Sequence, residues 1–254
     1  MNVLSLSALA AAPGAAITFY LYWNDEYEKE PKRLIRKSFL FGIVSILITS
    51  VLGAVVYPLL GIDDAKLVSG QSEYSLLHMF VFTFFGVGLV EEFSKWIMIR
   101  TKIFRWVNFN EPYDGILYSV MVSLGFATLE NVLYIFGSEA AETNGGLITG
   151  VLRAFTAVPV HAICGVIMGY YVGKVKFSEI DKTRNMLLSL VAPAAFHGAY
   201  DFFAFLDWVP GIIAGALVSV LVGLVLAKKA IDEHKQSSPF HPDRISTQTG
   251  TDNI

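Results

Sequence analysis

Seven apolar stretches, near residues 3–23, 38–60, 76–100, 114–136, 149–173, 185–206 and 209–228, leave this chain little choice of fold. As helices rising ~1.5 Å per residue, each is long enough to cross a hydrocarbon core ~30 Å thick. Lipid offers no hydrogen bonds to an open backbone, so the stretches are expected as helices. The composition agrees: 54% hydrophobic, 16% charged and a mean hydropathy of +0.54, too apolar for a soluble domain. The expectation is an all-α polytopic membrane protein with about seven transmembrane helices, and with neither a nucleic-acid partner nor a dinucleotide cofactor. Residues 1–231 read as one transmembrane unit without an internal repeat. Residues 232–254, polar and rich in Ser, Thr, Pro and Asn, read as a disordered tail. The first stretch has no basic residue before it, so it reads as a span and not as a cleaved leader.

The loops alternate in basic charge. Lys29, Lys32, Arg33, Arg36 and Lys37 lie between spans one and two, and Arg100, Lys102 and Arg105 between three and four. Lys174, Lys176, Lys182 and Arg184 lie between five and six, and Lys228, Lys229, Lys235 and Arg244 follow the seventh. Of nineteen basic residues, sixteen thus fall on one side, Lys66 alone on the other, and Lys95 and Arg153 within spans. The positive-inside rule then predicts an N-terminus outside and a cytoplasmic C-terminus. The mixed-charge loop Asp25–Lys37 suggests a short interfacial helix.

Ionisable groups recur where hydrocarbon should exclude them, and each costs at least ~2.5–3.5 kcal/mol to insert. Span three carries Glu91, Glu92 and Lys95; span four, Glu130 and Asn131; span five, Arg153 and His161; span six, His197 and Asp201. Helical spacing predicts that Glu91 pairs with Lys95 four residues on, while Glu92, ~100° round the helix, stays free. Counting rise from the outer ends places all these groups within a slab ~15 Å thick, able to line one cavity. Simpler roles are expected for several of them: Arg153 as a partner for Glu130 or Asp201, Lys95 as a counter-ion, Phe126 as packing around the acid. Cys164, the only cysteine, reads as a small buried hydrophobe. His78, Trp96, Trp106 and Trp208 suit membrane interfaces.

Several hydrolytic mechanisms lack their parts. There is no Gly-x-Ser-x-Gly elbow and no His-Glu-x-x-His, and Asp114 and Asp201 fall at opposite ends of the membrane, too far apart for a dyad. A glutamate that polarises water remains, with imidazoles stabilising an oxyanion or holding a metal. A proton- or ion-coupled transporter would also bury acids and histidines, but neither repeats nor broken helices are evident. A seven-span sensor fits the span count, without a recognition domain to support it.

The ordered set Glu91, Glu92 and Lys95; Phe126, Glu130 and Asn131; His161; His197 and Asp201 resembles the PrsW family of intramembrane proteases, over spans three to six. That family is similar in turn to the CAAX-processing and bacteriocin-processing membrane proteases, whose pattern is Glu-Glu-x-x-x-Arg, Phe-x-x-x-His and His-x-x-x-Asn. Here Lys95 stands one residue early, Glu130 replaces the His and Asp201 the Asn, departures that favour the PrsW branch. The resemblance implies a peptidase of a bacterial plasma membrane whose named member cuts a membrane-anchored anti-sigma factor on its extracytoplasmic side. The implied partners are a single-span membrane protein and the lipid bilayer. Glu91, Glu92, His161 and His197 would be catalytic, with Lys95, Phe126, Asn131 and Arg153 in support. Glu130, His161, His197 and Asp201 could ligate one divalent metal, zinc foremost, or stand in a metal-free glutamate site. The helical spacing assigns water activation to Glu92 and leaves Glu91 to orient its helix.

Overall fold

The computed structural model describes residues 3–62, 74–137, 145–206 and 213–244, so Lys66 and Trp208 lie outside the described residues. The helices are α1 (Val3–Trp23), α2 (Lys32–Leu59), α3 (Leu76–Ile103), α4 (Pro112–Phe136), α5 (Gly145–Phe155), α6 (Ala157–Phe177), α7 (Lys182–Phe205) and α8 (Ile213–Gln236). With α5 and α6 forming one broken span, seven helices among the described residues are long and apolar enough to cross a membrane. Among those residues no strand occurs.

The bundle is built around α4. Some 72% of its spanning window is buried, against 17% for α1 and 22% for α2 and α8, so the outer helices turn apolar side chains such as Leu47, Val51, Leu221 and Val225 outward. In a membrane this exposure is solvation by lipid. Close approach of helices depends on missing side chains: a Cβ on Gly125 of α4 would meet the Phe39 carbonyl oxygen of α2 at 2.0 Å. The same device joins α3 to α7, where a Cβ on Gly88 would lie 2.6 Å from the Ala194 carbonyl oxygen and one on Gly198 2.7 Å from Phe84 Cα. That contact brings Glu91 and Glu92 against His197.

Two local irregularities shape the interior. Phe82–Gly88 winds as π-helix within α3, offsetting the faces of its first turns from those of Leu89–Met98. The fifth span breaks at Thr156 (φ −123°, ψ −78°). Pro159 accounts for the break, because it has no N–H to donate and its ring crowds the carbonyl four residues back. The continuous helix expected there is therefore two helices, with Arg153 and His161 on opposite sides of the break.

The basic ends gather at one end of the bundle. Lys235 pairs with Glu26 at 2.8 Å, Asn110 Nδ2 donates to Glu28 at 2.6 Å, and Lys176 Nζ donates to the Phe104 carbonyl at 2.9 Å. No interfacial helix intervenes between α1 and α2: Lys32–Lys37 are the first turns of α2 itself. The tail expectation also needs correcting for residues 232–244. α8 continues to Gln236, buried His234 engages the Tyr170 carbonyl through Nε2 at 2.9 Å, and the Ser238 hydroxyl donates to Glu111. Polar composition misleads here because the docking partners are themselves buried acids and carbonyls. Residues 245–254 lie outside the described residues.

Candidate active site

The polar residues of spans three to six converge on a cavity of about 420 Å³ whose lining includes Glu91, Glu130, Arg153, His161, His197 and Asp201. Four spans supply them, as the depth count expects, the broken fifth span contributing from both of its helices. Glu92 and Lys95 are fully buried behind that wall.

The two glutamates exchange the places expected of them. Lys95 Nζ stands 2.6 Å from Glu92 Oε1 and 3.6 Å from Glu91 Oε2. A lysine can reach back three or four residues on a helix, so local spacing alone does not choose between them. The choice is made from α7, where His197 Nδ1 lies 2.8 Å from the same Glu92 oxygen. Glu92 is thus the tethered acid. Glu91 faces the cavity, and its Oε2 is buried without a hydrogen-bond partner among the described residues.

The imidazoles are held from behind. Glu92, paired with an ammonium, is an acceptor, so His197 Nδ1 donates to it and Nε2 is left toward the cavity, 3.4 Å from Asp201 Oδ2 and 3.9 Å from Glu91 Oε2. His161 has both nitrogens engaged: Nδ1 lies 3.0 Å from Lys95 Nζ and Nε2 2.8 Å from Glu130 Oε2. An ammonium only donates, so Nδ1 accepts from Lys95 and Nε2–H donates to Glu130. The two rings meet edge-on at 4.9 Å. Phe126 does more than fill space around the acid, for Lys95 Nζ sits 4.2 Å from its ring centroid.

Arg153 closes the outer side of this network. Its Nη2 donates to Glu130 Oε2 at 2.6 Å and its Nε to Asn131 Oδ1 at 2.7 Å, while Asn131 Nδ2 donates to the Ala10 carbonyl of α1 at 3.3 Å. Tyr134, which the motif pattern did not single out, lies beneath the guanidinium at 4.1 Å. Its position four residues after Glu130 was the available signal, since that spacing puts both on one helical face.

The donor set suited to a metal differs from the expected one. Among the described residues, the ligand atoms of Glu91, His161 and His197 lie within 4.8 Å of one another, as do those of Glu92, Cys164 and His197. Neither set contains Glu130 or Asp201. Glu130 is neutralised by Arg153, and the ion pair of Asp201 among the described residues is with His197. Glu92 is likewise spent on Lys95 at 2.6 Å, which favours the first set, whose Glu91 Oε2 makes no hydrogen bond among the described residues. Cys164 is fully buried beside Glu92 and His197, a proximity that its apolar sequence context does not reveal.

Residues 30–228 match the model of a family described as PrsW family intramembrane metalloprotease. The chain is 36% identical over 235 residues to Protease PrsW of Bacillus subtilis (strain 168), covering 90% of this chain and 96% of that protein. It is 36% identical over 200 residues to Protease PrsW of Geobacillus kaustophilus (strain HTA426), covering 79% and 80%, and 31% identical over 211 residues to that of Clostridioides difficile (strain 630), covering 81% of each. No solved structure matches the chain. A seven-span bundle with an acid-and-imidazole cavity, matched along most of its length by these proteases, places the chain in the PrsW family of intramembrane peptidases.

Proposed function

We propose that this peptidase hydrolyses a peptide bond of a single-span, membrane-anchored protein, of the anti-sigma-factor kind, with water activated by Glu91. The observation that carries the choice of Glu91 is its place in the cavity lining, where its Oε2 makes no hydrogen bond among the described residues, whereas Glu92 is fully buried and does not line the cavity. A carboxylate with a free lone pair can take the proton of a water, whereas Glu92 is spent on Lys95 and His197. His197, its Nδ1–H fixed by Glu92, offers Nε2 to the reacting carbonyl or its leaving amine. His161 is oriented through Lys95 and Glu130 and presents its edge to the same space. Glu92, Lys95, Glu130, Asn131 and Arg153 act as positioning residues.

Glu91, His161 and His197 fit a divalent ion, and two imidazole nitrogens with a carboxylate oxygen suit zinc. Such an ion, when bound, would supply Lewis acidity and lower the pKa of water, and Glu91 would then serve as its ligand in place of the base role it has without the ion. His161 would then give up one of its two hydrogen bonds, and Glu130 would remain held by Arg153.

The sixteen-to-one division of basic residues supports an orientation with the N-terminus outside and the C-terminus in the cytoplasm. The reading is tested by reconstituting the purified chain with a panel of single-span fluorogenic peptides, with and without a chelator, and mapping products by mass spectrometry. Cleavage inside or beside the apolar segment is expected, and loss of it with chelator would assign the metal. Failure to cut any single-span peptide while cutting soluble ones would reject the substrate class. A cysteine at Ser178 that labelled from outside would reverse the orientation.

A further inference from the structure

A second cavity, sharing no lining residue with the Glu91 cavity, lies between α1, α2 and α4. It measures about 770 Å³, within the ~300–1,000 Å³ typical of small-ligand sites. Its walls are chiefly apolar, among them Ala15, Phe19, Ile35, Phe39 and Met121, and its basic end is rimmed by Lys32 and Arg36. These cations are four apart on α2 and share a face. Among the described residues neither has a hydrogen bond or ion pair.

Their lack of partners is unusual because acids are abundant next door. Glu26 is taken by Lys235, Glu28 by Asn110, Glu30 by Tyr118, and Asp25 by the Glu30 amide. Lys29 is also committed, donating to the Tyr22, Trp23 and Asp25 carbonyls. Lys32 and Arg36 therefore retain uncompensated charge at the mouth of an apolar cleft. Thr18 lines the same cleft, and its hydroxyl is buried without a partner among the described residues. A buried hydroxyl without a bond is costly, so an occupant with an acceptor near that depth would relieve it.

From this combination we infer that the cleft is a binding site for one anionic phospholipid of the leaflet at the basic end. The phosphate lies between Lys32 and Arg36, an acyl chain runs between α1 and α2 over Phe39 and Met121, and an ester oxygen comes within reach of Thr18. An anionic head group matches the two unpaired cations, and basic pockets between transmembrane helices are suited to such head groups. The site is separate from the Glu91 cavity, so the inference does not depend on how hydrolysis proceeds.

The test uses the full chain in vesicles of equimolar phosphatidylglycerol and phosphatidylcholine, followed by native mass spectrometry of the released protein. The wild type is expected to retain one phosphatidylglycerol preferentially. The double variant K32Q/R36Q should lose that retention by about tenfold or more, since each cation near a lipid head group contributes appreciably. Ala15→Trp, which fills the apolar part of the cleft and leaves both charges in place, should lose it as well. Equal retention of the two lipids by the wild type, or undiminished phosphatidylglycerol retention in either variant, would overturn the inference. A single-span peptide retained in the cleft in place of lipid would overturn it too. Circular dichroism of each variant in the same vesicles separates loss of the site from loss of the fold.

Discussion

Two groups of buried acids in this chain solve the same problem differently. Within the spans Glu91, Glu92, Glu130 and Asp201 are interleaved with Lys95, Arg153, His161 and His197, in a network of ion pairs and imidazole contacts. At the basic end Asp25, Glu30, Glu111 and Asp114 are equally buried, yet among the described residues none forms an ion pair. Their partners are neutral: Glu30 accepts from the Tyr118 hydroxyl, Glu111 from the Ser238 hydroxyl, and Asp114 from the backbone amides of Asn110 and Glu111 at 2.9 Å. The first group keeps charge inside the protein by supplying opposite charge. The second lowers the cost of burial by taking up protons. Burial pushes Glu30 and Glu111 up to about 7 and raises Asp25 as well. Among the described residues, the first arrangement places a carboxylate beside imidazoles in a cavity lining, the feature on which the proposed hydrolysis rests.

The sharpest break in that comparison lies within the first group, between its two adjacent glutamates. Glu91→Gln should lower turnover of a single-span peptide by about 10²- to 10⁴-fold, the usual contribution of a general base, with little change in melting temperature. Glu92→Gln should instead cost about 3 kcal/mol of stability, because Lys95 and His197 lose the carboxylate that both contact. Rates and thermal melts of the two variants in one detergent decide the matter. A folded, inactive Glu92→Gln beside an active Glu91→Gln would exchange the roles.

Next in size is the cation of that group. Lys95→Met removes the charge that meets Glu92 at 2.6 Å and leaves a buried acid uncompensated, so a loss of about 3 kcal/mol is expected. Adding Glu92→Gln to it should restore part of the loss, since the second change removes the charge stranded by the first. Strict additivity in denaturant melts would mean that the pair is not coupled.

Much of this could be read from the chain. Hydropathy is local, so the seven spans and the gathering of basic ends at one end of the bundle follow from composition along the sequence. Counting depth was enough to bring Glu91, Glu130, His161, His197 and Asp201 to one cavity. What could not be read depends on partners distant in sequence. Glu91 and Glu92 are both within reach of Lys95, and only His197, 105 residues after Glu92, selects between them. The break at Thr156 had a sign in Pro159, yet the direction of the next helix is set by packing against α4. The loop between α1 and α2 looked interfacial because its acids look exposed in sequence, whereas Asp25 and Glu30 are buried, Glu30 against the Tyr118 hydroxyl of α4.

The second group should answer to pH. Glu30 and Glu111 have folded pKa values of about 7, above their ordinary 4.5, so the folded state holds protons more tightly than the unfolded one. Their contribution is fully present below about pH 4.5 and is lost as pH rises through about 7. Hydrogen exchange of residues 237–244, corrected for intrinsic rates, should therefore accelerate as pH rises from about 4.5 to about 7 and level off above that. Glu111→Gln, neutral throughout, should flatten that dependence. A profile unchanged in the variant would assign the titration to Glu30 or Asp25.

The smallest expected effect separates the groups by site instead of by strength. Ser238→Ala removes one hydroxyl from Glu111 and leaves the carboxyl buried, with the backbone amide of Asp114 still capping it. A single neutral hydrogen bond contributes about 1 kcal/mol, and that much loosening should appear in exchange of the residues after α8. Peptide cleavage should stay at the wild-type rate, because neither Ser238 nor the Glu111 it bonds lines the Glu91 cavity. If Ser238→Ala slowed cleavage several-fold at unchanged substrate affinity, the two groups of acids would be coupled through α4, the one helix that carries Asp114 in one group and Glu130 in the other.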